Sequence, residues 1–117
     1  MFDKILILII TLSISLYSAE YTAFMAKNHV GEKATICGKV ASTHYAKSSK
    51  GEPTFLNLEE AYPDHIFTLV IWGDNRDNFD KPEVKYKDKN VCAKGKIKSY
   101  KGIAQIILYS ESQITIK

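Results

Sequence analysis

The sequence predicts an all-β domain, five strands closing fully or partly into a small barrel behind a short N-terminal helix. Three observations predict it. From Ala34 onward the chain is rich in Val, Ile, Thr and aromatic residues that alternate with period two. Its 117 residues, 45% hydrophobic and 25% charged, suit one globular core and leave no room for two. A long polar connection, 73–89, separates the third and fourth strands, and barrel closure is the usual way for a small all-β chain to hide its edges. Two Cys and abundant apolar residues exclude collagen-like, disordered and disulfide-scaffold classes. A net charge of +3 is too mild to identify a nucleic-acid partner by itself.

Residues 1–19, MFDKILILIITLSISLYSA, read as a signal peptide ahead of a single domain, 20–117. Lys4 precedes an apolar run from Ile5 to Leu16, broken only by Thr11, Ser13 and Ser15. As helix this run would rise roughly 18 Å, short of the roughly 30 Å of a bilayer core. Cleavage after Ala19 leaves bulky Tyr17 where a small residue is preferred, and cleavage after Ser15 is the alternative. Export would place the protein in the periplasm or outside the cell, with no stable membrane span in the mature chain. In such an oxidising compartment Cys37 and Cys92 are a natural disulfide candidate. No CxxC or HxxxH spacing accompanies them, and His29, His44 and His65 are scattered, so neither a metal nor another cofactor is expected.

Glu20–Gly31 carries Phe24, Met25 and Val30 among good helix formers and stops at Gly31, which predicts a short helix or turn. Strand one is Ala34–Tyr45, with Ile36 and Val40 on one face and Cys37 and Lys39 on the other; Gly38 suggests a bulge or bend. Strand two is Thr54–Leu58, Leu56 and Leu58 inward, Phe55 and Asn57 outward. Strand three, Ile66–Trp72, offers Phe67, Leu69 and Ile71 to the core. The 73–89 connection has room for one helical turn near Asn75–Phe79. Strand four, Asn90–Ser99, alternates most cleanly, with Val91, Ala93, Gly95 and Ile97 opposite Cys92, Lys94, Lys96 and Lys98. Tyr100-Lys101-Gly102 turns into strand five, Ile103–Tyr109, and Gln113–Ile116 reads as a terminal extension.

The segments Gly31-Glu32, Cys37-Gly38-Lys39-Val40, Thr54–Leu58, Phe67–Trp72 and Val91–Ile97 through Tyr100-Lys101-Gly102 resemble, in order and spacing, the small bacterial OB-fold nucleic-acid-binding domains, some of them exported. The resemblance spans about 30–116 and implies a five-stranded Greek-key barrel whose first and fourth strands are antiparallel neighbours. Outward Cys37 and Cys92 could then bridge across those strands. Its implication for ligand is broader, because OB folds bind nucleic acids, oligosaccharides, peptides and proteins.

An OB barrel usually binds across strands two and three, between the first–second and fourth–fifth loops. Here that region holds Phe55, Asn57, Thr68, Val70 and Trp72, flanked by Tyr45, Lys47 and Lys50 on one side and Lys98, Tyr100 and Lys101 on the other. The resemblance thus implies that Tyr45, Phe55, Trp72 and Tyr100 would stack on bases of a single strand while Lys47, Lys50, Lys98 and Lys101 meet phosphates beside Asn57. Stacking of this kind is worth about 1–3 kcal/mol per base. A peptide, a glycan or an envelope protein is the alternative partner.

Charge is uneven. Glu20–Asp80 holds six basic and nine acidic residues, net −3, whereas Lys81–Lys117 holds nine lysines and three acids, net +6. The lysines of strand four could follow a polyanion, or serve only to keep an exposed sheet soluble. One arginine, Arg76, provides poorly for bidentate phosphate recognition. Asp74, Asp77 and Asp80 do not match calcium-loop spacing, and no GxSxG, HExxH or P-loop is present. No catalytic residue is expected.

Overall fold

The computed structural model describes residues 19–117; the expected signal peptide lies outside the described residues except for Ala19. The chain is all-β, as expected, but it contains eight strands rather than five. They are β1 (Ala19–Thr22), β2 (Lys33–Tyr45), β3 (Thr54–Leu58), β4 (Phe67–Ile71), β5 (Asn90–Lys96), β6 (Lys98–Tyr100), β7 (Ile103–Ile107) and β8 (Ile114–Ile116). A four-residue helix, α1 (Pro82–Lys85), and three 3-10 turns complete the fold. The strand order is β6-β7-β4-β3-β2-β5-β8, with β1 added in parallel to β2.

Three expectations are corrected. The sheet is not closed into a barrel: its path ends at β6 and β8, and β5 and β7 share no ladder. The expected fourth strand is two strands, because its first half pairs with β2 and its last three residues pair with β7. Between them Ile97 is tied elsewhere, donating to the Glu32 carbonyl (2.8 Å) and accepting from the Gly31 amide (2.7 Å). In place of the N-terminal helix, Ala19–Thr22 forms a strand and only Ala26–Asn28 coils, as one 3-10 turn. Pairing with β2 satisfies the β1 backbone better than a helix of three or four residues could.

The inward faces match the alternation. Ile36, Val40, Leu56, Leu58, Phe67, Leu69, Ile71, Val91, Ala93 and Ile97 are all fully buried, joined by Ile106 and Leu108 of the last long strand. Each large side chain among them contributes about 1.5–3 kcal/mol by leaving water. Gly38 is not the bulge; the register slips between Val40 and Ser42, where β2 changes partner from β5 to β3. Gly38 is small for another reason, since a Cβ there would run into the Glu59 carboxylate, which accepts the Lys39 amide at 2.9 Å. Cys37 and Cys92 lie opposite each other in the β2–β5 ladder and form a disulfide.

Candidate functional site

β2, β3, β4 and β7 lie side by side, so residues in register form rows across the outer face. One row is Ser42, Asn57, Thr68, Gln105 and, on β6, Lys98; the next is His44, Phe55, Val70 and Ile107. Over these rows lies an open groove of about 720 Å³. Its walls come from two connections. The 46–53 loop contributes Ala46 and Ser49, and the 59–66 turn contributes Tyr62 and His65. The β6–β7 turn supplies Tyr100 and Lys101. That turn is tight because Lys101 (φ 50°) and Gly102 (φ 83°) are both left-handed, the geometry a two-residue hairpin loop favours.

The floor is polar and ordered. Asn57 and Thr68 are buried, and the Thr68 hydroxyl donates to Asn57 Oδ1 at 3.4 Å. Asn57 Nδ2 donates to Ser42 Oγ (3.1 Å), which also accepts the Tyr62 amide (3.0 Å). With two donors already directed at it, the Ser42 hydroxyl has its own proton to donate, and one Asn57 N–H is left as well. The rim is aromatic: Tyr62 and Tyr100 are well exposed, Phe55 lies between, and Lys101 Nζ stands 5.4 Å from the Tyr100 ring centroid. Tyr62 stacks on His65 with centroids 5.5 Å apart, and His65 Nδ1 is buried without a partner. Burial holds the His65 pKa below its ordinary value despite the opposing Asp64 charge, so its ring is neutral near pH 7.

Of the residues expected to bind, Phe55, Asn57, Tyr100 and Lys101 come together in this groove. Tyr45, Lys47, Lys50, Trp72 and Lys98 lie outside its lining. Tyr45 is covered by the Arg76 guanidinium, 3.6 Å above its ring. Arg76 also donates to Thr54 Oγ1 (2.8 Å) and Glu83 Oε2 (2.9 Å), so its charge is spent inside the protein. Burial pushes the Glu83 carboxyl up, but Arg76 and its own backbone amide override that and leave it below the usual carboxylate range. Trp72 packs on Gly51, where an added Cβ would lie 3.0 Å from the indole. Sequence reasoning missed Ser42, Tyr62, His65 and Gln105. Register alone brings Ser42 and Gln105 opposite Asn57 and Thr68, a signal invisible without the pairing.

No protein-family model matches the chain, and no curated protein matches it. Solved structures do. An OBody, AM1L10, solved bound to hen egg-white lysozyme, is 20% identical with a TM-score of 0.56, and the match covers 90% of this chain and 98% of that one. The fold is an OB-fold. An asparaginyl-tRNA synthetase from Entamoeba histolytica, solved with asparaginyl-adenylate, matches at 14% identity and TM-score 0.54 over 87% of this chain. A chain assigned as an aspartyl-tRNA synthetase from Leishmania major Friedlin matches at 10% identity and TM-score 0.54 over 90%. This chain spans only 24% and 22% of those two synthetase chains. In the OB-fold the groove occupies the face on which ligands usually lie.

Among the described residues, the only cluster of metal-ligating types is Glu20 with Cys37 and Cys92, whose sulfurs are joined in the disulfide. No described helix is long and apolar enough to cross a membrane.

Proposed function

We propose that the protein is a non-catalytic OB-fold binding protein that holds single-stranded nucleic acid in the groove over β3 and β4. The observation that carries this reading is the groove itself: aromatic Phe55, Tyr62 and Tyr100 around a floor of fixed hydrogen-bonding groups, with Lys101 at the rim. Flat rings accept unstacked bases, Asn57 and Ser42 offer donors to base edges, and Lys101 meets a phosphate. Two structural neighbours are named as tRNA synthetases, which lends an RNA association to the same fold. The Cys37–Cys92 bridge and the apolar leader support export to the periplasm or beyond, where uptake or capture of extracellular strands is the fitting use.

The test is fluorescence anisotropy of a labelled oligodeoxythymidylate titrated with the protein at 50 and 150 mM salt. Binding that weakens with salt and drops at least tenfold in the Phe55→Ala, Tyr100→Ala double variant supports the reading. Binding untouched by that variant, or none at low salt, overturns it. The second reading is a protein or peptide partner. It is favoured by the scarcity of cations in the groove, which holds one lysine, and by the OBody of nearly equal length solved on lysozyme. Its signature would be salt-insensitive capture of a peptide by the same groove.

A further inference from the structure

β7 links the groove to a second feature on the outer surface. Ile103 and Gln105 line the groove, and two residues further along Ile107 and Tyr109 line a separate pocket of about 450 Å³. That pocket occupies the open seam where β5 and β7 fail to pair, and its other walls are Lys33, Lys94 and Lys96. All three lysines are exposed, and none of them forms an ion pair among the described residues. Lys33 and Lys96 stand directly opposite each other in the β2–β5 ladder. Like charges so placed repel, and an anion between them relieves the repulsion.

Lys98 occupies the step between the two features. It pairs with Gln105 of the groove and is exposed like Lys94 and Lys96, while the intervening Ile97 is buried. Alternate strand residues are about 6.6 Å apart, so Lys98, Lys96 and Lys94 make an evenly stepped row of cations leading from the groove to the seam. Tyr109, 54% exposed, stands at the end of that row beside the seam pocket.

We propose that this row is a phosphodiester track: a single strand held in the groove leaves it past Lys98 and seats a phosphate in the seam pocket between Lys33, Lys94 and Lys96, against Tyr109. The inference rests on the nucleic-acid reading of the groove and extends the bound strand beyond the face on which an OB-fold usually holds it. It accounts for the scarcity of lysine in the groove by placing most phosphate neutralisation along β5 and β6.

The experiment compares labelled oligodeoxythymidylates of six and fifteen nucleotides on the native protein and on the Lys33→Gln, Lys94→Gln, Lys96→Gln triple variant. The short strand fills the groove only and should bind both proteins within twofold. The long strand should bind the native protein more tightly, and the variant should lose about tenfold or more at 50 mM salt. Its slope of log affinity against log salt should become shallower by about 2, the value for three phosphates released from a single strand. Equal loss for both lengths would show a general charge effect and overturn the track while leaving the groove reading intact. An unchanged fifteen-nucleotide affinity would overturn it also. Failure of both strands to bind the native protein would remove the groove reading and the track together. Thermal unfolding of the variant at or above the native temperature checks that the lysines, all exposed, were removed without loss of fold.

Discussion

Gln113 should be the residue whose loss opens the seam. Its amide spans the gap between β5 and β7, donating from Nε2 to the Lys94 carbonyl at 2.9 Å and the Ile107 carbonyl at 3.3 Å. Its Oε1 accepts the amides of Tyr109 (2.7 Å) and Ser110 (3.2 Å). One side chain therefore serves four backbone groups where no ladder exists. A neutral hydrogen bond contributes about 0.5–1.5 kcal/mol net, and water can reach part of this seam, so Gln113→Ala should cost about 2 kcal/mol in all. For a domain this size that is a fall in Tm of about 8–16 °C. Gln113→Glu keeps the acceptor and loses the donors, turning a carboxylate oxygen towards two carbonyls; it should cost about 1–2 kcal/mol at pH 7. Protonating it restores one donor, so its deficit relative to native should narrow at pH 3 to 4. Urea denaturation followed by Trp72 fluorescence reads both values. If Gln113→Ala lies within 0.5 kcal/mol of native, the seam is held by β5–β8 pairing and the packing of Ile106 alone, and the reasoning fails.

Other consequences follow from the same geometry. The disulfide closes a separation of 55 residues, so the Cys37→Ala, Cys92→Ala double variant should lose about 4 kcal/mol in the chain-entropy account. Alkylation of the unreduced protein should label no thiol by mass spectrometry, and two labels would refute the bridge. Arg76→Ala should cost about 3 kcal/mol in chemical denaturation, because it strands the fully buried Thr54 hydroxyl and the half-buried Glu83 carboxylate. Arg76→Lys should recover less than half of that, since an ammonium cannot fork to both partners and lie flat on Tyr45; full recovery would refute the three-way contact. His65, its pKa depressed by burial, should titrate by NMR with a midpoint below the ordinary 6.5. The sign is that of a histidine buried neutral: its contribution is complete above pH 6.5 and is lost as pH falls below it. His65→Phe should flatten that acid limb, and a midpoint at or above 6.5 would count against the buried environment.

The inward residues were legible because one physical rule governs them: on a half-buried strand every second side chain faces the core, and Leu56, Leu58, Phe67, Leu69 and Ile71 obey it without exception. What the rule cannot register is a change of partner. Val91 through Ile97 alternates without interruption although β5 ends at Lys96 and β6 begins at Lys98, because Ile97 stays inward while its backbone bonds to Gly31 and Glu32. Side-chain period is insensitive to which strand takes the hydrogen bonds. The same blindness hid the open seam and moved the expected bulge from Gly38 to the Val40–Ser42 step. β1 was missed for a simpler reason: Glu20–Thr22 is too short for either period to show, and only its neighbour β2 makes it a strand.

The candidate site was half legible, and the half that was not follows a consistent logic. An aromatic ring beside a cation is the same sequence signal whether the pair faces a ligand or the pair satisfies itself. Tyr100 and Lys101 sit on a two-residue turn with nothing packed over them, so both stay available to the groove. Tyr45 and Arg76 are 31 positions apart, and the 73–78 turn folds the guanidinium onto the ring, where Thr54 and Glu83 hold it. With the sole arginine so engaged, bidentate recognition of phosphate or of a guanine edge is not open to this protein. What remains is lysine, a point charge suited to a backbone rather than to a base. Whatever sequence preference the groove has must therefore come from the fixed Ser42–Asn57–Thr68 hydrogen bonds and from stacking, while the lysines of β5 and β6 set affinity and its dependence on salt.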